Sequence, residues 1–586
     1  MKVLVHRMLA LGLLGHKPTD AEIHVKTANQ PMGRLWCPTC ILAKLLLLIV
    51  PGVVQAQFTF TTNDGAITIT GYFGANAVVT IPSSTNGYPV TSIGAQAFSE
   101  GPFPFPRITS VTIPDSVTSI GEEAFCRCPS LASVSIGSGV THIGDMAFDG
   151  CASLTSVRIP NSVTSIGEGV FFNCPSLTAI MVETRNSAYC DVDGVLFNQS
   201  QTTLIQYPGG IAGSYKMPSS VTNIAAFAFG GSSLTSVTIP DSVTSIGEEA
   251  FLNCASLTNA MIGNGVTNIE DAAFFSCTNL TSVVIGNGVI NIGDGAFYSC
   301  TSLTSVTVPN SATSIGLETF WGCASLTNAM IGNSVRVIGD YAFERCASLT
   351  SITIPSSVTN IGVWAFDSCT GLVSVVIGNG VRVIGGSAFE DCTSLASITI
   401  PDSVTDIGMW AFGSCTSLMS VVIGNGVSSI GDAAFKYCSS LTNVTIPSSV
   451  TSIGDEAFNN CTSLTGVCFR GNAPIPGLDV FDGDTNATVY YLPGTTGWGV
   501  TYGGLPTALW QPCIQASDSS FGVRTNQFGF NVAWASGMVI VVEACTNLAN
   551  PFWSPLQTNT LTGDSVYFSD PAWTNYSKRF YRIRSP

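Results

Sequence analysis

Apolar and polar positions along this chain fall into a phrase that returns at a fixed interval. Residues 151–173 read CASLTSVRIPNSVTSIGEGVFFN, and at Cys174 the phrase begins again. Within it, L-x-x-V-x-I alternates as a half-buried strand does, with Val157 and Ile159 on the inner side and Ser156 and Arg158 on the outer. Pro160, or Gly-Asn-Gly in other units, turns the chain. Val163 and Ile166 predict a second short inward segment. Gly167 permits a bend, and the E-x-x-F stretch after it predicts one helical turn.

The same columns run through most of the chain. One column holds thirteen of the 20 cysteines: Cys128, Cys151, Cys174, Cys254, Cys277, Cys300, Cys323, Cys346, Cys369, Cys392, Cys415, Cys438 and Cys461. Parallel columns carry the Leu three residues after each Cys, an Ile-Gly pair and a closing Ala-Phe. Fifteen units are clear, with degenerate ones near Phe197 and Phe481. One unit cannot bury its own apolar face, whereas stacked units share a continuous core, so the phrase predicts a solenoid. At ~4.8 Å per rung, about 17 coils make a rod on the order of 80 Å long. Pro and Gly turns alternate from Pro309 to Pro447, so the underlying unit in that half is a pair of coils.

The string at 234–254, "LTSVTIPDSVTSIGEEAFLNC", resembles the BspA-type leucine-rich repeat. The irregular stretch "YCDVDGVLFNQSQTTLIQYPGG" (189–210) is similar to an aberrant long repeat of that family. "AITITGYFG" and "ATVYYLPGTTGWG" look like its end-caps. The resemblance spans roughly residues 58–510. It implies a right-handed leucine-rich-repeat solenoid of 23-residue coils, β-rich with short helical turns, displayed or secreted by a bacterium and used in adhesion or protein recognition. It implies no catalytic residue.

The tail is different. Residues 517–586 hold β-formers and aromatics between Asn/Thr/Gly/Pro turns, which predicts a small β-sandwich. The expected organisation is a leader at 1–56, an N-terminal β cap at 57–92 and a solenoid at 93–470 with an irregular repeat at 178–220. A C-terminal cap at 471–512 and the β module at 513–586 complete it. Trp534, Trp553, Trp573, Phe580 and Tyr581 form either a sugar-binding platform or the core of that module. Cys513 and Cys545 are a candidate disulfide.

Charge removes several classes of partner. Charged residues make up only 10% of the chain and the formal net charge is −16. Positions 1–56 contain six bases and two acids, so the remainder carries −20. With no cluster of Lys and Arg, neither nucleic acid nor an anionic membrane is expected as a partner. The stretch "ILAKLLLLIVPGVVQAQF" (41–58) reads as an export signal cleaved after Ala56. Met32 opens a segment of the right proportions for such a signal, so translation is expected to start there. The alternative is a membrane anchor at 41–54, but it falls short of the ~20 apolar residues of a span. No membrane span is expected in the mature chain, which is read as secreted or surface-bound and monomeric.

Little catalytic chemistry is indicated. Beyond the leader His142 is the only histidine, at a variable surface position. The cysteine column sits between two core positions and reads as a ladder of buried thiols; Cys37 and Cys40 form a C-x-x-C within the leader. The acids after the Ile-Gly bend, such as Asp145, Asp294, Asp340 and Asp455, suit the start of a helical turn. "DVDG" (Asp191, Asp193) and "DGDTN" (Asp482, Asp484, Asn486) cluster oxygen atoms, but neither continues as an EF-hand, and both read as turns. No cofactor, metal or catalytic residue is expected. The positions of interest are those on the outer side of the first strand: Ser156, Arg158, Met261, Val284, Met330, Val376 and Val422. They predict a flat, weakly polar ribbon with apolar spots, suited to a protein or glycan on a cell surface. The alternative is a passive spacer presenting the C-terminal module, which binds a glycan or anchors the protein to the cell surface.

Overall fold

The computed structural model describes residues 57–99 and 108–515 and, with short gaps, 520–585. The leader, its Met32 start and its Cys-x-x-Cys lie outside the described residues.

The coil from Cys392 to Ser414 shows how the phrase folds. Ser397–Ile400 is the long strand; Ile398 and Ile400 are buried and Ser397 and Thr399 are exposed. Pro401-Asp402-Ser403 turns the chain toward a two-residue strand, Asp406–Ile407. The next coil pairs with it in parallel, each residue meeting its own counterpart in the phrase: Ile398 with Val421, Thr399 with Val422, Ile407 with Ile430. Repeated coil after coil, this register builds two sheets of 15 strands each, parallel except for a hairpin at one end of each, one of long strands and one of short ones. The solenoid has about 18 turns.

The segment expected as a helical turn is built otherwise. Trp410 and Ser414 have φ of 57° and 56°, and the corresponding residues of most coils also lie in the left-handed region. Alternate amides in this stretch leave their own coil: Trp410, Phe412 and Ser414 N–H donate to the carbonyls of Asp432, Ala434 and Lys436 at 2.7–2.8 Å. A helix would spend those amides internally, whereas here they extend the coil-to-coil ladder to a third side. The acids after the Ile-Gly bend serve the same ladder. Asp340, Asp432 and Asp455 accept the backbone N–H of Val363, Asp455 and Leu478 in the following coil at 2.7–2.9 Å.

Inside, the closing phenylalanines stack face to face. From Phe229 to Phe481, rings on neighbouring coils lie 4.5–5.6 Å apart and within 19° of parallel. A shorter column runs from Phe98 to Phe171. Between the two columns the chain leaves the phrase. Tyr189–Val192 and Val195–Asn198 form an antiparallel hairpin turning at Asp193 and Gly194, both in the left-handed region. Thr203–Gln206 then returns the chain to parallel pairing at Asn223–Ile224. Both sheets and the core divide here: one apolar cluster runs from Ile67 to Leu196, the other from Val195 to Leu505.

After Trp510 two antiparallel sheets enclose a small core of Phe530, Val532, Trp534, Ile540, Val542 and Phe568. Leu492, from the last coil, is part of that core, and Trp534 Nε1 donates to Trp510 O at 2.9 Å. Cys513 pairs with Ala533 in one sheet and Cys545 with Phe580 in the other, and both are free thiols, so the candidate disulfide is not formed. Trp534 is buried in the core and Trp553 lies under Arg582, so the five aromatics do not make one platform. Among the described residues no helix is long and apolar enough to cross a membrane.

Candidate interaction face

The cysteine column lies wholly inside. All thirteen thiols are buried and free, and each Sγ–H donates to the carbonyl of a phenylalanine 26 residues earlier (25 for Cys254, 30 for Cys128), at 3.1–3.4 Å. Burial raises the Cys323 thiol to about 12, and it raises Cys254, Cys277 and Cys346 well above the usual thiol range. A thiol so held supplies little thiolate, the form that attacks electrophiles and binds metal. Its visible work is to join coils.

The outer side of the long strands is the opposite case. Ser156, Arg158, Met261, Val284, Met330, Val376 and Val422 are all exposed; the last five lie on one sheet, one rung apart or at multiples of it, whereas Ser156 and Arg158 share a rung of a separate two-stranded sheet. Just before each strand runs a column of threonines whose hydroxyls donate to the preceding coil: Thr258 to Thr235 O, Thr281 to Thr258 O, Thr304 to Thr281 O, Thr327 to Thr304 O, at 3.0–3.2 Å. In three consecutive coils that column changes to Val373, Ala396 and Met419, and it resumes as threonine at Thr442. Val373 (52% exposed), Val376 (58%), Met419 (57%) and Val422 (58%) therefore form one apolar spot at the surface. A shallow groove of about 630 Å³ crosses it, with Val376 and Val422 on its floor and Asn379, Asp402 and Asn425 along the turn. A second groove of about 560 Å³ lies at Met330 and Thr353.

Sequence reasoning reached Val376 and Val422 and missed Val373 and Met419. Their signal was present, since "GLVSVV" and "SLMSVV" stand where other units read "SLTSV". Exposed apolar side chains gathered in one place are more informative than the same residues scattered singly.

On the turn side, Glu344, Asp367 and Glu390 occupy one column on consecutive coils. Burial, and then the charge of Glu344 and Glu390, push Asp367 up to about 7 against a hydrogen bond from Ser368. The folded state thus holds the proton more tightly than the unfolded chain, and the resulting stability is lost as pH rises from about 4 to 7. Urea midpoints measured over that range should fall, and Asp367→Asn should flatten the fall; an unchanged profile in the variant would remove Asp367 as its source.

The remaining sequence candidates are dispersed. His142 is exposed on a short strand. Asp191 Oδ1 accepts the Val182 N–H at 2.7 Å, which ties the irregular hairpin to the coil before it. Among the described residues no group of three or more His, Cys, Asp or Glu side chains could hold a metal ion.

The family described as BspA type leucine rich repeat region matches the chain at residues 91–212, 207–327, 268–396 and 360–488. No curated protein matches it significantly. Among solved structures, a leucine-rich repeat protein from Bacteroides ovatus is 26% identical, with a TM-score of 0.42, over 75% of this chain and 94% of that one. A leucine rich cell surface protein from Faecalibacterium prausnitzii is 27% identical, with a TM-score of 0.33, over 72% of this chain and 95% of that one.

Proposed function

This chain belongs to the BspA-type leucine-rich repeat family, and from that premise we propose that it is an exported, non-enzymatic protein that recognises a partner on a cell surface through its long-strand face. The observation that carries this reading is the apolar spot of Val373, Val376, Met419 and Val422. A threonine column that links coils by hydrogen bonds is given up there over three coils, and the side chains in its place face water. Apolar anchors amid Asn and Thr, with Asp402 and Arg470 also lining the groove, suit a protein partner, since such spots provide the buried centre of an interface and the polar rim orients it. Solenoids offer long footprints of this kind.

The test uses the full-length chain on intact cells and on arrayed glycans. The double variant Val376→Glu, Val422→Glu places two carboxylates on the spot without touching the core. Binding should weaken at least about tenfold, as when a central contact of an interface is removed. Undiminished binding would exclude the spot. A second reading, the solenoid as spacer for the C-terminal module, is favoured by one observation: Phe552 is 82% exposed, next to the Trp553–Arg582 pair. Loss of binding on Phe552→Ser, with the double variant unaffected, would move the function to the module.

A further inference from the structure

The last coil of the solenoid departs from the phrase at its most repeated position. "VFDGDTNA" (480–487) aligns with "AFNNCTSL" (457–464), so Asp484 stands in the cysteine column, one coil beyond Cys461. Ser232, which also breaks the column, keeps a donor there; its hydroxyl lies 3.5 Å from Cys254 Sγ. Asp484 is 1% exposed, and neither of its carboxylate oxygens has a hydrogen-bond partner. The Cys461 N–H beside it is already given to Phe458 O at 3.2 Å. In register, the carbonyl that a thiol at this position would reach is that of Phe458. A carboxylate has no hydrogen to give it, whereas a carboxylic acid has one.

The surroundings favour the acid. Burial is the main influence and raises it, the nearby Cys461 backbone N–H works the other way, and Asp482 in the same turn adds a like charge. Together they bring Asp484 up to about 7. On the outer side Phe481 packs against Tyr502, whose phenol burial pushes above its usual range. Asp484 O accepts the Ala487 N–H at 3.0 Å, just before the strand Thr488–Tyr491. That strand carries the C-terminal module: Tyr491 O accepts the Trp510 N–H at 2.7 Å, and Leu492 belongs to the module's core.

We propose that Asp484 is a proton-operated latch: neutral, it closes the last coil as the thiols close the others; ionised, it loosens that coil and the footing of the C-terminal module. The latch is independent of what the long-strand face binds. Loosening occurs between about pH 4, where an exposed aspartate ionises, and about pH 7, where this one does. Over that interval the open form gains because the unfolded coil releases the proton and the folded coil retains it.

Amide hydrogen exchange of the full chain, corrected for the chemical exchange rate at each pH, tests this. Opening of residues 478–492 should rise about 50-fold from pH 5 to pH 7 by proton linkage, relative to residues 397–407 in mid-solenoid. In Asp484→Asn and Asp484→Cys, which keep a donor but do not ionise in this range, the rise should vanish. Asp484→Cys restores the thiol of the other coils and guards against a folding defect in Asp484→Asn. A flat profile in the unmodified chain, or the original rise persisting in either variant, would overturn the latch.

Discussion

Replacing Phe366 with alanine should cost the solenoid about 3–5 kcal/mol, the range for deleting a fully buried phenylalanine. The ring is completely buried and lies 5.2 Å from both Phe343 and Phe389, 3° from parallel with each. Two ring faces lose their partner at once. The backbone has little freedom to fill the gap, because Phe366 N–H is bonded to Ala388 O and Phe343 N–H to Ala365 O, both at 2.8 Å. Since each coil touches only its neighbours, the damage should stay local. Hydrogen exchange should show coils 343–389 opening far more often while coils near Phe125 and Phe148 keep their protection. Uniform loss along the rod would instead mean that the coils unfold as one unit.

Gly426→Ala should have the second-largest effect, about 1–3 kcal/mol as for other overpacked sites, and at the upper end of that range. The reason is close approach to a neighbouring coil. A Cβ at Gly426 would overlap the carbonyl oxygen of Asp402 one coil back, and that obstacle is backbone, which cannot swing aside. Gly139, Gly265, Gly288 and Gly380 face the same obstacle. The turn is further pinned by the Asn425 N–H, donated to Asp402 Oδ1 at 2.6 Å. A methyl group there must push two coils apart along the rod. The urea midpoint of Gly426→Ala should fall while Gly563→Ala, whose Cβ meets nothing, stays unchanged. Equal midpoints for the two variants would show that the turn yields.

What the sequence made legible follows from what repeats. Val, Ile, Leu, Phe and Cys recur at fixed spacing because each stacks on its own copy, so the coil, its two strands and its inward columns were all readable. The third side was not. Acids after Ile-Gly look like the start of a helix within one unit, yet Asp432 and Asp455 serve the coil that follows them. That relation between one coil and the next is invisible when a unit is read alone. Val373 and Met419 escaped for the converse reason: a consensus that fills their column with threonine hides the units that break it. Asp484 was read as part of a turn-rich "DGDTN" because a carboxylate looks unlike a thiol, although its place in the column is the same. The C-terminal pairing of Cys513 with Cys545 failed since separation along the chain does not report which sheet a strand joins.

The hairpin at 189–198 has a mechanical consequence. Pulled end to end, a stack of coils shares the load among many hydrogen bonds at each rung. At this one level both ladders end, the phenylalanine column stops at Phe171 and restarts at Phe229, and the core changes hands between Leu196 and Val195. Strand pairing is interrupted on both sheets at that level, so tension is expected to find a yield point at that seam. Tension along the stack should therefore separate the coils on either side of the hairpin before it disturbs the face at Val376 and Val422.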